Sequence, residues 1–187
     1  MYQLPSIADF KALSPENQKE AIDHLFEPCD SLNWFIQTFV IAHKNYESWP
    51  QFINKVRSEL HILANRNGFY AVRNGYEANT LINDIISAHP RLGAPKTTQL
   101  SQHSAEEQKK LGGEEMQKRL AELNERYEKT FPRLRYVVFV NGRSRDEIIV
   151  NMEQRIKRND IELEKREAFD AMCDIALDRA AKLEVKL

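Results

Sequence analysis

The chain has few of the residues that punctuate and cross-link a fold. Only 6 of its 187 residues are glycine, about 3% against a usual ~7%, which argues against an all-β fold full of tight turns. The two cysteines, Cys29 and Cys173, could pair with each other, but they build neither a disulfide framework nor a CxxC site, and a reducing compartment is the simpler expectation. No run of about 18 apolar residues occurs, so nothing reads as membrane-spanning. Met1-Tyr2-Gln3-Leu4-Pro5 has neither the basic start nor the apolar stretch of a signal peptide. Charge of one sign is also missing: 27 Lys+Arg face 28 Asp+Glu, for a net charge of -1. That balance removes the usual electrostatic case for nucleic acid or an anionic membrane surface as partner. There is no Gly-rich phosphate loop and no GxSxG elbow. The five histidines, at 24, 43, 61, 89 and 103, form neither HExxH nor another compact ligand set, so no metal site is expected.

Hydrophobic residues make up 42% of the chain and charged residues 29%. This is enough apolar side chain for a core, and together with the scarce glycine it favours helices. The length suits one domain, 1–187, since chains of roughly 100–200 residues usually fold around a single core. Ser14-Pro15-Glu16 predicts the first helix, with serine as N-cap, running to about Phe26. A second amphipathic stretch begins at Ser31, a third spans Trp49 to Asn65, and a fourth carries Leu81, Ile82, Ile85 and Ile86 and ends at His89-Pro90. From Arg91 to His103 the periodicity stops, and long loops inside compact domains are often functional. A long polar helix then starts at Ser104 and reaches about Lys129. Tyr136 to Val140 looks locally like a strand, but it stands alone and is read as a buried connector. Ser144 and Glu147 predict a capping box for the next helix, and the last runs from about Ile161 to Leu183. The expected fold is all-α, a single-domain bundle of about seven to nine helices with a long irregular loop near 90–103.

Three segments carry candidate chemistry. In His89-Pro90-Arg91-Leu92-Gly93 the proline ring biases His89 towards extended backbone, so its imidazole projects from a helix end into the irregular stretch. There it is either a polar helix-terminal residue or an acid–base group that titrates near neutrality. In Ser104-Ala105-Glu106-Glu107-Gln108, residues 104, 107 and 108 share one helix face and present a hydroxyl, a carboxylate and an amide to a polar planar ligand. Ser-x-x-Glu is equally a capping box, and a Ser104 cap leaves helix N–H groups beside anything bound there. Arg179 falls on the apolar side of the last helix with Phe169, Met172, Cys173, Ile175, Ala176 and Leu183, opposite Asp170, Asp174, Asp178 and Lys182. A core-facing arginine needs a buried carboxylate, a bound anion or a route for its head to solvent. His43 and His61 read as packing or surface residues, and Arg143-Ser144-Arg145 as an anion site or a solvated helix N-terminus.

Taken in order, these pieces resemble the 2-oxo-4-hydroxy-4-carboxy-5-ureidoimidazoline (OHCU) decarboxylase family of purine degradation. The resemblance runs from about Ile85 to Leu183. It rests on His89-Pro90, Ser104-x-x-Glu107-Gln108, Asn124-x-x-Tyr127 with Phe131, Val140-x-Gly142-Arg143-Ser144, Arg155, Glu162 and Ile175-x-x-x-Arg179. Each motif is weak alone; their order is specific. The resemblance implies a cofactor-free, all-α enzyme, commonly a homodimer, that makes (S)-allantoin from a small-molecule intermediate of urate oxidation. By the family pattern His89 is the catalytic imidazole with Glu107 beside it, while Pro90, Ser104, Gln108 and Arg179 hold the substrate's ring, ureido group and carboxylate. Loss of carbon dioxide leaves an electron pair that the substrate's conjugated ring delocalises. The protein then has to bind an anion, strip water from its carboxylate and deliver a proton.

Many relatives carry Asp-Leu-Ala-Gly after His-Pro and Phe-Gly-Phe-Pro-Phe further on, where this chain has Arg91-Leu92-Gly93-Ala94 and Phe131-Pro132-Arg133-Leu134-Arg135-Tyr136. These forms look like a fungal branch of the family. The chain ends Val185-Lys186-Leu187, close to the peroxisomal Ser-Lys-Leu address, so the expected location is intracellular, in peroxisome or cytoplasm. The rival reading is a helical ligand- or protein-binding protein that keeps the fold without the reaction, and a third is a lyase or hydrolase of another ureido compound. Convergence of His89, Glu107 and Arg179 on one pocket favours the enzyme. Pairing of Arg179 with a core glutamate, with His89 facing solvent, favours the rival.

Overall fold

A computed structural model describes residues 2–43, 45–65, 77–93, 103 and 114–184. The Ser14 hydroxyl accepts from the Asn17 N–H at the start of α2 (Pro15–Leu25), and Pro15 at the first helical position supplies the helical φ. A short helix, α1 (Ile7–Ala12), precedes it under a Ser6 cap. The sequence reading missed α1 by opening the first helix at Ser14: six residues with a single buried side chain, Phe10, offer no periodicity to read. α3 (Asp30–Phe39) starts at Cys29, whose sulfur accepts from the Leu32 N–H. After a 3-10 turn at Ile41–His43 come α4 (Trp49–Asn65) and α5 (Ala78–Ser87). α6 (Glu114–Thr130), α7 (Arg145–Arg158) and α8 (Ile161–Leu183) follow, and both halves of the Ser144–Glu147 capping box are formed. The described residues thus hold eight α-helices and no sheet, within the expected range. No helix among them is long and apolar enough to cross a membrane.

α8 is the central element. It packs chiefly along α4 and also touches α2 and α5. Its buried residues recur as Ala168, Phe169, Met172, Cys173, Ala176, Arg179, Ala180 and Leu183, and the addition of Glu164, Lys165, Ala171 and Ile175 covers most of its circumference. A helix covered on nearly all sides must sit inside a bundle rather than on its surface. From α4 come Phe52, Ile53, Val56, Leu60 and Leu63, all in the same core. On the outer edge of this contact Arg57 bonds Asp170 at 3.1 Å and Asp174 at 2.7 Å, and His61 meets Asp170 at 2.9 Å. The chain's start is fastened to the end of α8 by the Leu4 N–H, which donates to the Leu183 carbonyl at 3.0 Å. Cys29 and Cys173 are both free thiols.

The segment between α6 and α7 is the connector expected from the sequence. Tyr136 and Val137 are buried and no strand pairs with them among the described residues. A buried carbonyl without a ladder needs another donor. Arg155 supplies it, its Nη1 donating to the Val137 oxygen at 2.9 Å.

Candidate active site

The site begins where α2 ends. Phe26 leaves the helix in extended backbone, which frees its carbonyl for a partner outside the helix. That partner is Arg179, from α8: its Nη1 donates to the Phe26 oxygen at 2.9 Å and its Nη2 donates to Glu27 Oε1, also at 2.9 Å. Arg179 and Glu27 are only 3% and 4% exposed. A guanidinium so deeply placed is tolerable because the carboxylate cancels its charge; breaking such a pair typically costs about 3–5 kcal/mol.

His89 comes to the same place from α5. The helix stops at Ser87, Ala88 still has helical backbone, and the ring of Pro90 disfavours helical conformation at His89. His89 is buried, and its Nε2 has no hydrogen-bond partner among the described residues. Burial pushes its pKa down to about 4; Glu27 pulls it up and Arg179 pushes it down by smaller amounts. The imidazole is therefore neutral near pH 7, and it senses both members of the ion pair. A buried ring nitrogen without a partner is unusual, since buried polar atoms are nearly always bonded.

The residues after His89 are tied down by specific contacts. Asn124 on α6 donates to the carbonyls of Leu92 and Leu120, at 2.9 and 2.8 Å. Arg91 forms a two-pronged bond to Glu128, with Nε–Oε1 at 2.8 Å and Nη2–Oε2 at 2.6 Å, and Arg135 bonds the same carboxylate. Gly93 has φ +72°, and a Cβ there would stand 2.9 Å from Leu120 Cδ1, so any side chain at this position is strained and crowds Leu120. The Arg91-Leu92-Gly93 form, which departs from many relatives, is thus matched by partners on α6 and in the connector.

A cavity of about 350 Å³ opens beside the end of α2, with Asp23, His24, Pro28, Lys19 and His103 among its lining. His24 Nδ1 and His103 Nε2 lie 3.1 Å apart, and Tyr2 stacks on His24 with ring centroids 3.7 Å apart. Burial lowers the His24 pKa, while Glu20 and Asp23 raise it and Arg179 lowers it by smaller amounts. Among the described residues His89 and Arg179 are not part of its lining.

Over residues 11–181 the sequence matches the family described as OHCU decarboxylase. The chain belongs to the OHCU decarboxylase family. Among curated proteins none matches the chain. The family is one of decarboxylases, carbon–carbon lyases of urate degradation, and its span takes in every helix that builds this site.

Of the residues expected from the sequence, His89 and Arg179 are both buried and the charge of Arg179 acts on His89, while Pro90 is half-buried. Ser104, Glu107 and Gln108 lie outside the described residues. Arg179 does pair with a core glutamate, one arm of the rival reading, while His89 is buried rather than solvent-facing, against its other arm. The sequence reading missed Glu27. It foresaw that Arg179 needs a carboxylate or an anion, but 152 residues separate the partners and nothing local links them. The one available signal was an acidic residue wedged between apolar Phe26 and Pro28, where a helix has just ended.

Proposed function

We propose that the protein catalyses the cofactor-independent decarboxylation of 2-oxo-4-hydroxy-4-carboxy-5-ureidoimidazoline to (S)-allantoin. The observation that carries this reading is the buried His89 Nε2, without a partner among the described residues, within electrostatic reach of the buried guanidinium of Arg179. Arg179 attracts the substrate carboxylate, and the dry surroundings weaken its hydration before the carbon–carbon bond breaks. His89 faces the reacting carbon or its hydroxyl, where general acid–base help is typically worth about 10²–10⁴-fold. Glu107, on the helix expected to open at Ser104, orients the imidazole or bonds the substrate directly. Ser104 and Gln108 hold the ureido group and ring, and Pro90 closes one side. The protein acts as a homodimer, which light scattering checks.

A second reading, a binding protein that keeps the fold, is favoured by the Glu27 contact: Arg179 already has a buried carboxylate. One experiment separates the two. The substrate is generated fresh from urate with urate oxidase and hydroxyisourate hydrolase, the protein is added, and circular dichroism follows the product. The decarboxylase forms optically active allantoin faster than the unaided reaction, and His89→Ala lowers turnover by at least about 10²-fold while the far-ultraviolet spectrum is unchanged. Racemic product at the unaided rate from folded protein sinks the proposal. A loss of about tenfold or less in His89→Ala removes the imidazole from the central role.

A further inference from the structure

We propose that Asn124 is a positioning residue for His89, acting at the middle of a register of three contacts by which α6 fixes the segment that follows the imidazole. The inference rests on the decarboxylase reading of His89 and adds a residue which that reading does not use. Leu120, Asn124 and Glu128 lie four residues apart on α6 and so share one stripe of the helix. They meet three consecutive residues in reverse order. Leu120 closes on Gly93, where a Cβ would lie 2.9 Å from its Cδ1. Asn124 Nδ2 donates to the Leu92 carbonyl at 2.9 Å. Glu128 accepts from Arg91 Nε at 2.8 Å and from its Nη2 at 2.6 Å.

The segment depends on this hold because its own backbone gives it little. The end of α5 is closed by a long bond, with the His89 N–H donating to the Ile86 carbonyl at 3.3 Å. Among the described residues, 90 to 93 form no backbone–backbone hydrogen bond, and Pro90 has no N–H to give. Leu92 is buried all the same, and a buried carbonyl needs a donor. Asn124 is itself only 2% exposed and directs its amide nitrogen to two carbonyls, that of Leu92 and that of Leu120 at 2.8 Å on its own helix. Two carbonyl acceptors leave the amide one orientation, because its oxygen would repel both. The side chain is therefore a strut of fixed length between α6 and the third residue after His89.

His89 is held from both sides, by the last turn of α5 and, through Pro90, Arg91 and Leu92, by α6. The proline limits the slack between them: its φ is fixed, and its ring restricts the residue before it. A shift of Leu92 thus reaches the imidazole. Acid–base help depends on placement, and a displacement of about 1 Å costs up to about 10²-fold. Arg179, which the decarboxylase reading assigns to the substrate carboxylate, comes from α8 and stands outside the register. Loss of the strut therefore acts on turnover more than on binding.

The test removes the strut and reads His89 directly. Asn124→Ser keeps a hydroxyl that bonds the Leu120 carbonyl within its own helix, as serine does four residues on, but is too short for Leu92. It is expected to lower kcat by about 10- to 100-fold while KM changes by less than about threefold. Nitrogen-15 NMR of the histidine rings in the ligand-free protein is the second readout. His89 of the wild type titrates at about 4. In Asn124→Ser its midpoint is expected to rise by at least about one pH unit, because the loosened ring gains water. Glu128→Ala gives up only partly exposed ion pairs with Arg91 and Arg135, so it folds, and it opens the outer contact of the same register. It is expected to move both readouts in the same direction, kcat by about three- to tenfold. Should Asn124→Ser not fold, Glu128→Ala decides alone. An active wild type whose variants keep both kcat and the His89 midpoint overturns the register and leaves the decarboxylase reading standing. So does a rise in KM with kcat unchanged. An inactive wild type overturns the decarboxylase reading and the catalytic consequence with it, while the His89 midpoint still reports whether α6 holds the ring.

Discussion

Among the described residues the protein buries two arginine–glutamate pairs, and they differ in what surrounds them. At the α7–α8 junction Arg155 bonds Glu164 through Nε at 2.9 and 3.1 Å and again through Nη2, while Tyr127 and Arg158 bond the same carboxylate. Its Nη1 donates to the Val137 carbonyl, and its guanidinium carbon lies 4.7 Å from the Tyr136 ring centre. This network also shows in its tyrosines: burial first, then Glu164, raise the Tyr127 pKa, and burial raises that of Tyr136 to about 12. Arg179 and Glu27 use the same two side-chain types at similar depth, but their charges act on a buried imidazole whose Nε2 has no partner among the described residues. The first pair holds the connector and the α7–α8 corner in place. The second sits next to an unmet hydrogen-bonding group. Chemistry is read from the unmet group, because a satisfied ion pair gives a ligand nothing to replace.

The sharpest way to break this contrast is to cut the structural pair. Glu164→Ala leaves Arg155 and the Tyr127 hydroxyl buried without their carboxylate and is expected to lose about 3–5 kcal/mol in urea unfolding. The fraction that stays folded should keep its turnover number within a few-fold. A fall in kcat as large as that of His89→Ala would erase the distinction between the two pairs.

Next in size is an acid effect confined to the second pair's neighbour. The His89 pKa is about 4 in the folded protein against an ordinary 6.5. Between those values the unfolded chain holds a proton that the folded one does not. Stability from this group is therefore complete above about pH 6.5 and is lost as the pH falls towards 4, by roughly 3 kcal/mol. Unfolding free energies at pH 7 and pH 4.5 should differ by less in His89→Asn than in the wild type; an identical pH dependence contradicts the buried, neutral imidazole.

A smaller effect tests how the His89 segment is held. Gly93→Ala forces a side chain into positive φ and against Leu120, at an expected cost of about 1–3 kcal/mol in thermal or urea unfolding. Activity per folded molecule should fall more than in Glu164→Ala, since His89 and Pro90 are fastened through this turn. The smallest effect belongs to Arg91→Ala. Arg91 is partly exposed, so the loss of its Glu128 contact should change stability by less than about 1 kcal/mol. A shift of several kcal/mol would mark that two-pronged bond as part of the core's support.

Much of the architecture was legible because local rules agree with one another. Ser14-Pro15, the Ser144–Glu147 box and the apolar spacing from Trp49 to Asn65 each place a helix end or face within a few residues. The lone Tyr136 to Val140 segment was read as a connector because a strand without a partner has no ladder, and that reasoning needed no tertiary information. α1 escaped for the opposite reason: its single turn and a half carries one core residue, and Phe10 is held by Trp49 and Phe52 from another part of the chain.

The sequence by itself determined the longer helices, the inward placement of Arg179 and the position of His89 at a helix end before proline. All three follow from backbone sterics and a 3.6-residue period, which act over a few residues. The tertiary structure alone decided that Glu27 is the partner of Arg179, that His89 is buried beside them and neutral, and that the Arg155 pair is saturated where the other has an unpartnered neighbour. Burial, proton affinity and the completion of hydrogen bonds depend on which distant segments meet, and no local rule carries that information.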